Sequence, residues 1–318
     1  MPVGVIGLGK VGIGVSSTLV DAGFDVVGYD LDGAARERAA DAGVAVADDN
    51  NDLARRCEVI ILCLPHPDAS RAAVDAIAEH AQAGTDVFDT STLSPLTARE
   101  LHERAAEADV HYHDSPITGG EVGANRGELT VMIGGDPERI RAREDVLSTI
   151  AEAVYHIGEV GDGQFVKLVH NHVGQTTLVI FLEGCLLAEA FGVDPATLYR
   201  TLRHYTGIYD DKLDSFFSNE FPDEFDEHFA IGDDAGSAGN RFNLDVAHKD
   251  LVELRELADE YDAYLPLGSF VEQFHREGMN AGYGDRPHPD LLELYADLFD
   301  TDVESRAERR EKSEGRLV

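Results

Sequence analysis

Six residues near the start, Gly7-Leu8-Gly9-Lys10-Val11-Gly12, directly follow a β-branched run and open a helical pattern. In that context the three glycines are a dinucleotide fingerprint. Gly7 permits a tight turn, Gly9 lets a pyrophosphate approach the backbone, and Gly12 lets the helix pack on the strand. The helix N-terminus then faces the phosphates. A glycine turn with no ligand is the plainer alternative. Asp30 closes the next strand, where an acid accepts hydrogen bonds from the adenosine ribose hydroxyls and repels a 2′-phosphate. That favours NAD over NADP; an exposed strand-end acid in an acidic chain is the competing reading.

From Pro2 to about Ile157, short β-branched runs alternate with helical patterns, which predicts a parallel sheet of βαβ units. The expected strands are Val3 to Ile6, Asp25 to Tyr29, Val44 to Val46, Val59 to Leu64, Asp86 to Asp89, Val110 to His113, Thr130 to Ile133 and Val154 to Ile157. Ser94-Pro95 and Asp136-Pro137 read as N-caps with proline at the first helical position, and Gly23 and Gly43 as C-terminal caps. After Gly163, Gln164 to Phe191 reads as one helix, apolar on nearly every face, stopping at Gly192. A helix apolar all round is expected to be buried on all sides. Helical patterns follow at Pro195 to His204, Asp245 to Asp262, Leu267 to Glu277 and Asp290 to Leu298, and the acidic, Gly-rich stretch Asn219 to Asn240 reads as a solvated loop. The fold class is therefore α/β: an N-terminal Rossmann-type doubly wound sheet over 1–162, linked by the long helix to an all-α domain over 163–298, with a charged tail over 299–318.

With 26 Lys plus Arg against 61 Asp plus Glu, the 318-residue chain carries a formal charge of −35, spread along its whole length. That excess argues against nucleic acid, whose phosphates it would repel. A dispersed acidic surface strains the compact state by self-repulsion that concentrated salt screens, so a salt-adapted cytoplasmic protein is expected. An ordinary acidic enzyme is the alternative. The start lacks the basic and continuous apolar stretch of a signal peptide. The longest apolar stretch, Leu178 to Leu187, is interrupted by Glu183 and too short for a bilayer, so no membrane partner is expected. Cys57, Cys63 and Cys185 are scattered and suggest core thiols rather than disulfides or a metal site.

Two more strand ends, Leu64-Pro65 and Asp89-Thr90-Ser91-Thr92, fall where ligands of open α/β sheets lie, outside the carboxyl ends of the strands. On local sequence alone each is equally a plain loop. Asp114-Ser115-Pro116-Ile117-Thr118-Gly119-Gly120, with Gly123-Ala124 and Gly127, places side-chain-free residues beside a hydroxyl, an arrangement of backbone N–H groups that suits a carboxylate. A merely flexible loop is the alternative. On the long helix, Lys167, His170 and Asn171 form a polar stripe, because residues three and four apart share a face. Desolvation lowers the pKa of a buried lysine, which suits a group exchanging a proton near neutral pH. A lysine snorkelling to solvent is the rival reading, and His170 is equally a satisfied core histidine. Lys249-Asp250-Leu251 is by itself an ordinary helical charge pair.

Taken in order, these segments resemble the β-hydroxyacid dehydrogenase family, which includes 3-hydroxyisobutyrate dehydrogenase, tartronate semialdehyde reductase and, more distantly, 6-phosphogluconate dehydrogenase. The match runs from Val3 to about Leu298 and is most specific over DSPITGGEVGANRGELTVMIGG, at 114–135, and GEVGDGQFVKLVHN, at 158–171. The resemblance implies that Lys167 is the acid/base group, that Thr118, Gly119 and Gly120 hold a substrate carboxylate, and that Asn171 orients the substrate. It also implies that Lys249 lies near cofactor and substrate, and that Leu64, Pro65 and Thr92 touch the cofactor. The run LVHN is closer to the 6-phosphogluconate branch, since the hydroxyisobutyrate branch usually has a second Asn where His170 stands. Yet the decarboxylating branch carries a Glu and then a Tyr shortly after that Asn, where this chain has Gly174 and Gln175. The related imine reductases generally replace the lysine, so its presence favours alcohol or aldehyde substrates.

The expected function is hydride transfer between NAD and the alcohol carbon of a small 3-hydroxy acid, or the reverse reduction of a semialdehyde, by a homodimer or homotetramer. A decarboxylating 6-phosphogluconate-type enzyme and a catalytically silent dinucleotide-binding protein are the rivals. Val122, Gln175, Leu213 and Phe242 are candidates for shaping the substrate pocket.

Overall fold

The computed structural model describes residues 2–190, 193–199, 243–260 and 266–286, together with Leu291 and Leu294. The first strands and helices alternate: β1 (Val3–Ile6), α1 (Lys10–Asp21), β2 (Val26–Tyr29), α2 (Gly33–Asp41), β3 (Ala45–Val46), α3 (Asn50–Arg56), β4 (Val59–Leu62), α4 (Pro67–His80), β5 (Asp86–Asp89), α5 (Pro95–Ala106) and β6 (His111–Asp114). The VGVI of β1 and VIIL of β4 are buried along their whole length, as strands covered by helices on both faces must be. Ser94 and Asp136 cap their helices as expected, accepting from the amides of Thr97 and Glu138.

The sheet order is β3-β2-β1-β4-β5-β6, all parallel. The chain therefore steps outward from β1 in one direction, returns, and continues from β4 in the other. That reversal leaves a crevice outside the carboxyl ends of β1 and β4, where ligands of doubly wound sheets bind. One core layer gathers Val5, Leu19, Phe88 and Ile133, and the other Ile6, Leu62, Ile77 and Tyr112. At the amino end of β5, buried Asp86 pairs with Arg139 at 2.9 Å and Arg143 at 2.7 Å. Burial works to raise its pKa, but the nearby His113 and the hydrogen-bonded guanidinium groups of Arg143 and Arg139 prevail and hold it below the usual carboxylate range.

Beyond β6 the all-parallel expectation is corrected. β7 (Ile117–Thr118) and β8 (Leu129–Gly134) are antiparallel, with Thr118 opposite Thr130, and β8 also runs antiparallel to β6. The intervening residues 119–128 are too short for a parallel crossover, which takes a dozen residues or more. They form instead a short helix, α6 (Gly120–Arg126), not the merely flexible loop that was the alternative reading. Then α7 (Pro137–Ala142), α8 (Glu144–Ile150) and β9 (Ala151–Gly158), parallel to β8, complete the sheet.

The long helix α9 runs from Asp162 to Ala190, 29 residues or roughly 43 Å. Within the single chain it is not covered on all sides. Phe165, Val169 and Val173, spaced four apart on one face, are 50%, 38% and 55% exposed, so the described residues leave an apolar stripe uncovered. Two compact units, Met1–His170 and Asn171–Val318, divide within this helix. The second contains α10 (Leu244–Glu260) and α11 (Pro266–Asn280) around a core of Val179, Phe181, Tyr199, Leu251 and Phe274. The 219–240 segment, the 299–318 tail, Leu213, Phe242 and Gly192 lie outside the described residues. Among the described residues no helix is long and apolar enough to cross a membrane.

Candidate active site

The glycine turn sits at the carboxyl end of β1. Gly7 adopts a left-handed φ of +93°, and its amide donates to the Tyr29 carbonyl at 2.9 Å. A Cβ on Gly7 would strike the Cys63 carbonyl, and one on Gly12 would strike the carbonyl of Gly7, so helix, turn and strand approach too closely for any side chain. Gly9 is the opposite case: nothing lies within 4 Å of where its Cβ would stand, and no side chain caps α1 there. An open backbone at the start of a helix fits a pyrophosphate. Leu8 is buried in the core, and its amide donates to Asp30 Oδ2 at 2.7 Å. Asp30 Oδ1 accepts from Asp32 at 2.8 Å. Val11 packs against the core, while Lys10 is exposed and pairs with Glu121 of α6 at 3.6 Å.

The carboxyl ends of β4 and β5 are tied together by Ser91. Its hydroxyl accepts from the Leu64 amide at 3.0 Å, and its own amide donates to Asp89 Oδ1 at 3.0 Å. Tyr112 donates to the other oxygen of Asp89 at 3.0 Å, and burial pushes that carboxylate's pKa up. Pro65 is exposed and Thr92 half-buried at the same edge. From α9, the Gln164 side chain accepts from the Leu93 amide at 2.9 Å and donates to the Ser91 carbonyl at 2.8 Å.

The third segment leans on the first. Thr118 lies in β7, half-buried, and Gly119 and Gly120 follow with φ of +112° and +56°. Gly14 lets α6 approach α1, since a Cβ there would meet Asn125 and Ala124, and Thr18 donates to the Ala124 carbonyl at 2.9 Å. At the head of the segment, Asp114 is fully buried and accepts from the amides of Gly161 at 2.8 Å and Gln164 at 2.7 Å. It thereby satisfies amides at the start of α9 that the helix cannot satisfy itself. Burial pushes Asp114 up to about 7 against the pull of those two hydrogen bonds.

Lys167 follows Gln164 by three residues on α9 and is 8% exposed, whereas His170 is half-buried. In the second unit, Asn171 donates to Asp250 Oδ2 at 2.7 Å, and Lys249 Nζ approaches Asp250 Oδ1 at 3.1 Å, an ion-pair distance without hydrogen-bond alignment. The expected Lys249–Asp250 charge pair is present, and Asp250 is in addition buried and central to a three-residue cluster. Gln175 is also buried, and Val122 is half-buried in α6. Sequence reading assigned no part to Asp114 or Asp250. The signal available was a carboxylate inside each of the two motif segments, without any indication of what it bonds. Among the described residues no group of His, Cys, Asp and Glu is arranged to hold a metal.

A glycine turn at the switch point of such a sheet, with an acid at the end of the second strand and an open helix start, defines a nicotinamide-dinucleotide-binding oxidoreductase fold. Residues 2–158 match the NAD-binding domain of 6-phosphogluconate dehydrogenase, and residues 161–295 match the NAD-binding domain of NADP-dependent 3-hydroxyisobutyrate dehydrogenase. The chain belongs to the β-hydroxyacid dehydrogenase family. It is 30% identical to the L-threonate dehydrogenase of Cupriavidus necator over 92% of this chain and 95% of that protein. Against the NAD-dependent L-serine dehydrogenase of Pseudomonas aeruginosa it is 27% identical, covering 91% and 96% of the two chains. The solved 3-hydroxyisobutyrate dehydrogenase of Mycobacterium tuberculosis with L-serine superposes with a TM-score of 0.79 at 27% identity, over 92% of this chain and 98% of that one.

Proposed function

We propose that this chain transfers a hydride between NAD and the alcohol carbon of a small 3-hydroxy carboxylic acid, or reduces the matching semialdehyde. The observation that carries the reading is a lysine, Lys167, buried to 8% exposure on the helix whose first turn is bonded to the loop after β5. A nicotinamide bound along that edge supplies the hydride acceptor or donor. In the oxidation direction Lys167 takes the substrate hydroxyl proton; in reduction it returns that proton to the new alcohol. Gly7, Gly9, Gly12 and the backbone of Lys10 and Val11 cradle the pyrophosphate, Leu8 holds the turn through its amide bond to Asp30, and Leu64, Pro65 and Thr92 lie toward the nicotinamide. Thr118, Gly119 and Gly120 hold the carboxylate, His170 and Asn171 contact the substrate, and Lys249 is assigned to the cofactor and substrate by the family resemblance. Asp30 disfavours a 2′-phosphate, and Arg36, a cation close by, is spent on the carbonyls of Asp30 and Leu31 at 2.5 and 3.1 Å.

The relatives act on hydroxy acids by their names, which supports the substrate class. Gly174 and Gln175 stand against decarboxylation of 6-phosphogluconate. The charge of −35 supports a high-salt cytoplasm, and the apolar stripe of Phe165, Val169 and Val173 supports a homo-oligomer in which a second copy covers it.

The test is a screen in concentrated potassium chloride of small 3-hydroxy acids and semialdehydes against NAD and NADP, run on wild type and Lys167→Ala. Wild type should turn over with NAD, and the variant should lose about 10² to 10⁴ in turnover while still binding NADH. Near-normal turnover by the variant would remove Lys167 from the chemistry, and no turnover by wild type on any of the panel would remove the substrate class.

A further inference from the structure

Gln164 is fully buried, and its amide uses both ends on one target: Oε1 accepts from the Leu93 amide at 2.9 Å and Nε2 donates to the Ser91 carbonyl at 2.8 Å. Those two peptide groups flank Thr92 on either side. The backbone amide of Gln164 is itself fixed by Asp114 Oδ2 at 2.7 Å, so its side chain projects from an anchored turn. Lys167 lies three residues further, on the same helix face and about 4.5 Å along the axis. Ser91, at the other end of the bracket, fixes the Leu64 amide through its hydroxyl at 3.0 Å.

A leucine would fill this position without the cost of desolvating an amide and freezing its rotamers. Paired at both ends, the amide roughly recovers that cost and adds direction, which an apolar contact lacks. We propose that Gln164 is a positioning residue that holds the loop around Thr92 in register with Lys167. This rests on the reading above, in which that loop borders the nicotinamide and Lys167 moves the proton. Hydride transfer is sensitive to such register, because a misplacement of about 1 Å can cost on the order of 10² in rate.

Two variants test it. Gln164→Leu removes both bonds. Gln164→Glu, when protonated, presents one acceptor and one O–H donor in the amide's own pattern; ionised, it presents acceptors only. Binding of NADH and of ADP-ribose, which lacks the nicotinamide, is measured for each protein, with turnover on whichever hydroxy acid wild type accepts. Gln164→Leu should bind ADP-ribose like wild type, bind NADH roughly tenfold more weakly, and lose on the order of 10- to 100-fold in kcat with little change in KM. Gln164→Glu should recover NADH affinity, relative to wild type, as the pH is lowered, and Gln164→Leu should not. The proposal is overturned if the NADH to ADP-ribose affinity ratio of Gln164→Leu stays within about twofold of wild type. It is equally overturned if the Gln164→Glu deficit is independent of pH. Should Gln164→Leu not fold, the pH response of Gln164→Glu decides alone. Absence of wild-type turnover sinks the substrate reading only, since the affinity ratio needs no substrate.

Discussion

The amide of Leu8 donates to the carboxylate of Asp30 at 2.7 Å, so the acid that ends β2 and the second residue of the glycine turn form one hydrogen-bonded unit. Asp30 therefore shapes the glycine turn, in addition to the ribose contact proposed for it. Asp30→Asn should weaken NADH binding by roughly tenfold or more, since a hydrogen bond to a charged group is worth about 1.5–3 kcal/mol. It should also move the ratio of NADH to NADPH affinity toward NADPH. Titration of both dinucleotides checks this; an unchanged preference would show that Asp30 does not face the ribose.

Gly9 and Gly12 separate folding from binding. Gly9 has φ −66° and open space where a Cβ would stand, so Gly9→Ala should melt like wild type yet lose at least about tenfold in NADH affinity as the methyl intrudes on the phosphates. Gly12→Ala collides with the Gly7 carbonyl and should lose about 2–4 kcal/mol of stability, as overpacked or strained sites do. Denaturant unfolding and dinucleotide titration on both variants measure the two effects. Equal melting points for the pair would contradict the packing described.

Asp114 predicts a pH signature. Its pKa is pushed up by burial to about 7, above the unfolded value, so the folded state holds the extra proton between the ordinary carboxylate range and neutrality. That contribution to stability is fully present below the unfolded pKa and is lost as pH rises through the folded one, with a slope of at most about 1.4 kcal/mol per pH unit. Asp114→Asn should lack it. Subtracting the two unfolding curves from pH 4 to 8 isolates the effect from other titrating groups, and a flat difference would count against it.

The net charge of −35 predicts strong salt dependence. Raising potassium chloride from dilute buffer to about 2 M shrinks the screening length to about 3 Å or less and should raise the melting temperature on the order of 10 °C. A melting temperature indifferent to salt would rule out salt adaptation.

Most of the first unit was legible because its signals are local. The runs VGVI, VVGY, VIIL and the capping pairs Ser94-Pro95 and Asp136-Pro137 carry their own boundaries. Strand direction is not local, and nothing in LTVMIG marks β8 as reversed. Nor does a sequence show which buried groups meet: Asp114 bonds residues 47 and 50 positions away, and Gln164 bonds residues 71 and 73 positions away. Asp250 looked like half of a helical charge pair until its 79-residue link to Asn171 placed it at the centre of a cluster. Which face of α9 a single chain leaves open, that of Phe165, Val169 and Val173, is not legible for a related reason: apolar composition does not say which face is covered.

The contact of Gly14 with Ala124 means that the dinucleotide clasp and the segment beginning at Asp114 share a wall one methyl thick. A chimaera that took its first hundred residues from one relative and the rest from another would graft a foreign floor under that wall. The two must be exchanged as a pair, whichever hydroxy acid the recombinant is meant to accept.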